Sequence, residues 1–223
     1  MADAYWEQCR KEAEAGKMVS WWFGYPAFQL LQAMDVVYVH GQGLAARLAA
    51  RKEEQEARSI AEAEGYLPEL CSYCRSSAGV GLIVAKGSHG PGPKPGWLVP
   101  KPDFTVTINP CSTEQHWCDD IARRFNVPAF HIELPYFWNE SEADEYVSFT
   151  TQQFRDFIPF LEDMTKRPFN WERLKNILTE LKKMAEVRNQ ARWLSKNIPS
   201  PASFFDWVIS LAGIVTPLPS PGP

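Results

Sequence analysis

Two cysteine stretches hold the residues best suited to chemistry. The first reads Gly65-Tyr66-Leu67-Pro68-Glu69-Leu70-Cys71-Ser72-Tyr73-Cys74-Arg75, and the second Asn109-Pro110-Cys111-Ser112-Thr113-Glu114-Gln115. In each, a cysteine sits where a helix is expected to begin. Pro68 suits a first helical turn, because the N–H it lacks has no partner there. That reading runs a helix from about Pro68 to Ser77, with Cys71 in its opening turn. Ser112 followed by Gln115 reads as a capping box and puts Cys111 just before a second helix. Helix N-termini carry partial positive charge and unpaired N–H groups. Both favour thiolate, the form that binds metal. The working reading is that Cys71 and Cys111 converge on one iron–sulfur cluster. Taken singly, each cysteine fits a buried apolar role better than a ligand role. The Cys71-x-x-Cys74 spacing also occurs in zinc and thioredoxin-like redox sites.

The elements that would position these residues follow from hydrophobic patterning. Residues 3–15 predict a surface helix. Lys17–Phe23 is a short apolar strand closed by Gly24, and Pro26 opens a helix through Met34. Asp35–His40 is a β-branched strand stopped by Gly41. Residues 43–64 predict one long helix rich in Ala, Arg and Glu. Val80–Ala85 fits either a helix extension or a strand, and the Gly/Pro-rich stretch 87–96 is a loop. Asp103–Ile108 is a strand leading to Cys111, followed by a helix over 113–125 and a strand over 129–134. Ser141 to Asp144 reads as a capping box for a helix running towards Lys166 with Pro159 as an interruption. Asn170 caps the next helix, and a last one is expected over 201–214. Strands and helices alternate in the first 136 residues, as in a parallel sheet wound with helices. The expected fold is an α/β, Rossmann-like three-layer domain with a parallel sheet (residues 1–136), followed by an all-helical segment (137–223).

Composition narrows the function. The chain has 223 residues, 45% hydrophobic and 22% charged, with net charge −4. That balance is ordinary for a globular protein and gives no basic footprint for nucleic acid. No apolar run is long enough to span a membrane, and the N-terminus lacks a signal-peptide pattern. A cytoplasmic location is expected, where five cysteines are more often free or metal-bound than paired. Cys118 falls on the second turn of its helix, facing inward, and Cys9, in the N-terminal helix, is structural or incidental. His131 reads as a satisfied strand residue. His40 and His116 lie near the expected site, and His89 is in the loop. In wound parallel sheets, ligands bind beyond the carboxyl ends of the strands. Cys111 and the Gly24-Tyr25-Pro26 turn both lie there, so Gly24, Tyr25 and Pro26 are expected to border substrate. Trp21, Trp22 and Phe23 suit a buried strand better than an aromatic-ligand pocket.

The succession of motifs resembles a known family. Gly24-Tyr25-Pro26 leads a helix containing Leu30-Leu31-Gln32-Ala33. Leu70-Cys71-Ser72-Tyr73 follows, with Arg75 and Gly79. Then come Pro102-Asp103-Phe104-Thr105-Val106-Thr107-Ile108-Asn109-Pro110-Cys111, Trp117, Asn126-Val127-Pro128 and Leu134-Pro135-Tyr136. Their order resembles the 2-hydroxyacyl-CoA dehydratase and benzoyl-CoA reductase subunit family. The resemblance implies a [4Fe-4S] cluster held by three cysteines from two α/β domains, with one iron open. It implies an acyl-CoA substrate, a related second subunit, and an ATP-hydrolysing iron–sulfur activator that delivers one low-potential electron. It matches Cys71 and Cys111 to two ligands. The chain departs in two ways: Gln29 stands where the family usually has Glu, and no cysteine follows Cys118. The third ligand is then either Cys74 or a residue of a second α/β domain, whose beginning residues 137–223 are expected to approach. A chain so built is expected to need a companion for turnover.

Overall fold

Every residue of β1 (Val19–Phe23) is buried, because this strand is covered on both faces. Val19, Trp21 and Phe23 join one apolar cluster and Trp22 the other, as the two-residue period of a strand requires. The computed structural model describes residues 2–24, 28–86, 97–109, 111–136 and 138–207. Its four-stranded sheet has the order β2-β1-β3-β4, all parallel, with β2 at Val37–His40, β3 at Phe104–Ile108 and β4 at Ala129–Ile132. The architecture is the α/β three-layer one that the alternation predicts.

One face is covered by α1 (Ala2–Glu14), α3 (Gly41–Ala50), α4 (Glu54–Ala63), α5 (Ser72–Lys86) and α6 (Ser112–Phe125). Trp6, Leu44, Leu48, Val80, Trp117 and Ile121 fill that side of the core. The other face carries α2 (Phe28–Ala33) and α7 (Ala143–Thr165), through Leu31, Phe157 and Leu161. The last long helix, α8 (Trp171–Leu194), has no buried residue and meets the core through partly buried Leu174 and Ile177 and through Trp171, whose ring lies 4.8 Å from that of buried Phe169. No helix among the described residues is long and apolar enough to cross a membrane.

Several local expectations change. The long helix over 43–64 is two helices, α3 and α4. The break falls at Lys52, which takes φ +58°, and Glu53, whose carboxylate accepts a hydrogen bond from Trp97 Nε1 at 2.8 Å. Ala, Arg and Glu all favour helix, so composition conceals a break that a distant tryptophan sets. The helix expected from Pro68 begins at Ser72, and Val80–Ala85 is its continuation. Residues 68–69 form a turn instead, closed by Leu70 N–H to Leu67 O. Helix α6 begins at Ser112 with Cys111 at the N-cap, so Ser112 does not cap. Asn139, not Ser141, caps the short 3-10 turn (Glu140–Glu142) before α7, and Pro159 lies inside α7 without ending it. Asn170 caps α8 as expected, accepting from Arg173 N–H at 2.9 Å. Of the helix expected over 201–214, residues 204–207 are helical, and the remainder lies outside the described residues.

Candidate functional site

In the order β2-β1-β3-β4 the chain winds one way from β1 and then the other, so the crevice for a ligand opens beyond the carboxyl ends of β1 and β3. Cys111 follows β3 there. It is exposed, with extended backbone (φ −147°, ψ 155°), and its side chain makes no capping bond. Asn109, two residues earlier, ties this approach to β4: its Oδ1 accepts from Leu134 N–H at 2.7 Å.

Cys71 holds the matching position on α5. It is exposed and immediately precedes Ser72, and its carbonyl accepts the first helical hydrogen bond, from Arg75 N–H at 3.1 Å. The loop before it is braced at several points. Arg75 Nε donates to Leu70 O at 3.0 Å and Arg75 Nη1 to Glu62. Tyr66 donates to Asp120 on α6, and Arg124 Nε donates to the same carboxylate at 2.7 Å. This network fixes the Cys71 loop against α6, the helix that Cys111 begins.

Cys74 lies one turn into α5 and is buried. Burial first, then the nearby Cys71, Asp120 and Cys111, pushes its thiol up to about 12. Cys74 therefore lies within electrostatic reach of both exposed cysteines, and α5 starts at the edge where α6 starts. Among the described residues, no three or more His, Cys, Asp or Glu side chains are grouped so as to hold a metal ion. In donor chemistry the residues fit a thiolate-bound cluster: two exposed cysteines at adjoining helix starts, and a third nearby whose side chain is turned into the core.

Cys118 and Cys9 stand apart. Cys118 Sγ lies 3.2 Å from Thr105 Oγ1, and burial pushes both thiols up to about 12. His131 pairs with Asp119 at 2.8 Å. His116 is exposed on α6, and His89 lies outside the described residues.

His40 has a role that spacing alone did not reveal. It caps α3, its Nδ1 accepting from Gly43 N–H at 3.1 Å, while Nε2–H donates to Gly24 O at 3.2 Å. The ring lies 4.6 Å from that of Trp22, and burial lowers its pKa to about 4. It is a neutral brace that holds Gly24, itself at φ +91°, at the lip of the crevice. Tyr25 and Pro26 lie outside the described residues. Gln42 and Glu114 were also missed: Gln42 Nε2 donates to Glu114 Oε1, joining the starts of α3 and α6. The legible half of that signal was a carboxylate one turn after Cys111.

Exposed apolar side chains flank Cys71 in the chain and also follow β4. Leu67, Leu70 and Tyr73 are exposed around Cys71. After β4, exposed Tyr136 and Trp138 stack with centroids 5.1 Å apart.

Comparison with known proteins finds similar sequences over nearly the whole chain. The family model described as 2-hydroxyglutaryl-CoA dehydratase, D-component, matches residues 25–221. The chain is 28% identical to lactoyl-CoA dehydratase subunit alpha of Anaerotignum propionicum, over 94% of this chain and 51% of that protein. It is 27% identical to the (R)-phenyllactyl-CoA dehydratase alpha subunit of Clostridium sporogenes, over 86% of this chain and 46% of that one. It is 25% identical to the (R)-2-hydroxyisocaproyl-CoA dehydratase alpha subunit of Clostridioides difficile, over 92% and 49%. The chain thus spans about half the length of these curated relatives. It belongs to the 2-hydroxyglutaryl-CoA dehydratase, D-component, family.

Proposed function

We propose that this chain is the cluster-binding part of a 2-hydroxyacyl-CoA dehydratase, working in the cytoplasm with a related subunit and an ATP-dependent iron–sulfur activator. The observation that carries the reading is the placement of Cys71 and Cys111 at the starts of α5 and α6 on one sheet edge, with Cys74 in reach of both. Cys71 and Cys111 would hold a [4Fe-4S] cluster. When bound, such a cluster supplies one-electron chemistry and an open iron at the acyl-CoA. The chain's own residues have positioning roles. The Tyr66–Asp120–Arg124 network fixes the Cys71 loop, and Asn109 fixes the approach to Cys111. His40 holds Gly24 where the Gly24–Pro26 turn would border substrate.

Cys74 is the poorer candidate for third ligand, since it would have to leave the core and lose its proton. A cysteine from a second α/β domain is the better one. Residues 1–136 would form the cluster-binding unit, and 137–223 a helical connector docked through α7. The exposed apolar residues around Cys71 and beyond β4 suit contact with a companion. The three relatives carry dehydratase names, which supports dehydration over reduction of an aromatic acyl-CoA. A second reading, a non-catalytic metal-binding or interaction protein, draws on the lack of a three-donor group among the described residues.

Anaerobic reconstitution with iron and sulfide tests the proposal. The wild-type chain should turn brown and bind iron. Cys71→Ala and Cys111→Ala should each lose most of that iron, and Cys9→Ala should keep it. Full iron retention in both of the first two variants would sink the assignment, and a colourless zinc protein would favour the second reading.

A further inference from the structure

Near the starts of α3 and α6, three buried side-chain atoms find no hydrogen-bond partner among the described residues: Gln42 Oε1, Glu114 Oε2 and Trp117 Nε1. The first two belong to groups already bonded to each other through Gln42 Nε2 and Glu114 Oε1. Trp117 lies one turn after Glu114 on the same face of α6. It is 2% exposed and its ring packs on Phe23 at 4.8 Å. It also closes over Gly41, the neighbour of Gln42, where an added Cβ would meet Trp117 Cζ2 at 3.0 Å. With Glu114 ionised, these atoms are two acceptors and one donor. A buried polar group left unsatisfied is costly, and native proteins meet such groups with ordered water or ligand.

We propose that Gln42, Glu114 and Trp117 form a receptor for a single O–H group, which accepts from the indole N–H and donates to the side-chain oxygens. Water meets all three atoms, since it has two protons and free lone pairs. An alcohol hydroxyl, with one proton, meets the indole and one oxygen. In the chain alone the occupant is an internal water. When a hydroxyl-bearing ligand enters the crevice beside Cys111, its hydroxyl can take that place. Only this second part rests on the dehydratase reading. An ammonium group is excluded because it has nothing to accept the indole N–H.

The test is a structure of the full chain at a resolution that shows ordered solvent, paired with oxygen-17 relaxation to count long-lived internal waters. The expected result is one ordered water bonded to all three side chains. Gln42→Leu should lose it with helix content unchanged, and Trp117→Phe should lower its occupancy. Soaking with a 2-hydroxyacyl thioester and with its deoxy analogue separates the two sources. Displacement of the water by the first alone assigns the site to the ligand hydroxyl, and retention with both assigns it to internal water. A junction filled by one of the chain's own side chains, by an ion, or by no ordered group overturns the proposal.

Discussion

Gly79→Ala should loosen the helix pair that presents Cys71. Helices α4 and α5 meet at Gly79, where an added Cβ would lie 1.9 Å from the carbonyl oxygen of Ala57 and 3.2 Å from its Cα. The obstacle is backbone, so no rotamer change can relieve it. Ordinary contact between such atoms needs about 3.5 Å, so the helices must separate by roughly 1.5 Å at this point. That opens the apolar seam of Ala61, Ala78 and Leu82. Overpacking of this kind costs about 1–3 kcal/mol, and a rigid backbone puts Gly79 at the upper end. The better helix propensity of alanine returns up to ~1 kcal/mol. The net loss should be about 2–3 kcal/mol, or a fall in Tm of roughly 2–4 °C per kcal/mol for a chain of this size. Gly81→Ala is the control, because its Cβ would crowd only the tip of Ile121, Cδ1 at 2.8 Å, which can swing aside, and would meet the Trp21 ring at an ordinary 3.6 Å. It should stay within about 1 kcal/mol of wild type. Denaturant unfolding monitored by circular dichroism reads both. If Gly79→Ala is as stable as Gly81→Ala, the argument from close helix approach fails.

Three further outcomes are expected. His40 holds a pKa of about 4 when folded against 6.5 unfolded, so between those values the unfolded chain binds the proton the folded one refuses. Stability should fall as pH drops through that window, by up to roughly 3 kcal/mol. His40→Asn, which can still cap Gly43, should lack this loss, and a pH-independent difference between the two proteins in urea titrations would contradict it. Asn126 ends α6 at φ +53°, so Asn126→Ala should cost ~1–2 kcal/mol while Asn126→Gly stays near neutral in thermal unfolding. Phe157 is fully buried and packs on Phe130 at 4.7 Å. Phe157→Ala should cost about 3–5 kcal/mol, and a fraction of that in chemical denaturation would mean α7 is not part of the core.

The sheet was legible because its strands announce themselves locally. Asp35–His40 and Asp103–Ile108 are β-branched runs ended by Gly41 and by Asn109-Pro110, and parallel strands covered on both faces need little else. The four strands and the order of the helices follow from that patterning. Helix ends were less legible wherever a distant residue decides them. Lys52 breaks α3 from α4 in a run that favours helix throughout. Pro68 has the chemistry of a first helical turn but serves in the turn before one. At the site, the placement of Cys71 and Cys111 at helix starts was readable from flanking residues. The burial of Cys74, the two hydrogen bonds of His40 and the Gln42–Glu114 link were not. Each depends on which elements meet across the sheet, and no local spacing encodes that.

The central position of β1 also sets an order of events during synthesis. One neighbour, β2, emerges soon after it, but β3 comes much later: the bond from Val19 N–H to Asp103 spans 84 positions. At about 5–20 residues per second, that gap lasts roughly 4–17 s. Throughout it, one edge of a strand reading Val-Ser-Trp-Trp-Phe stays unpaired. Contacts this distant in sequence also form slowly once the chain is complete. The same tryptophans and phenylalanine that later seal the core are, for those seconds, a strand edge open to pairing with another chain. Yield in the cell should therefore respond to chaperone supply and to growth temperature more steeply than equilibrium stability alone would suggest.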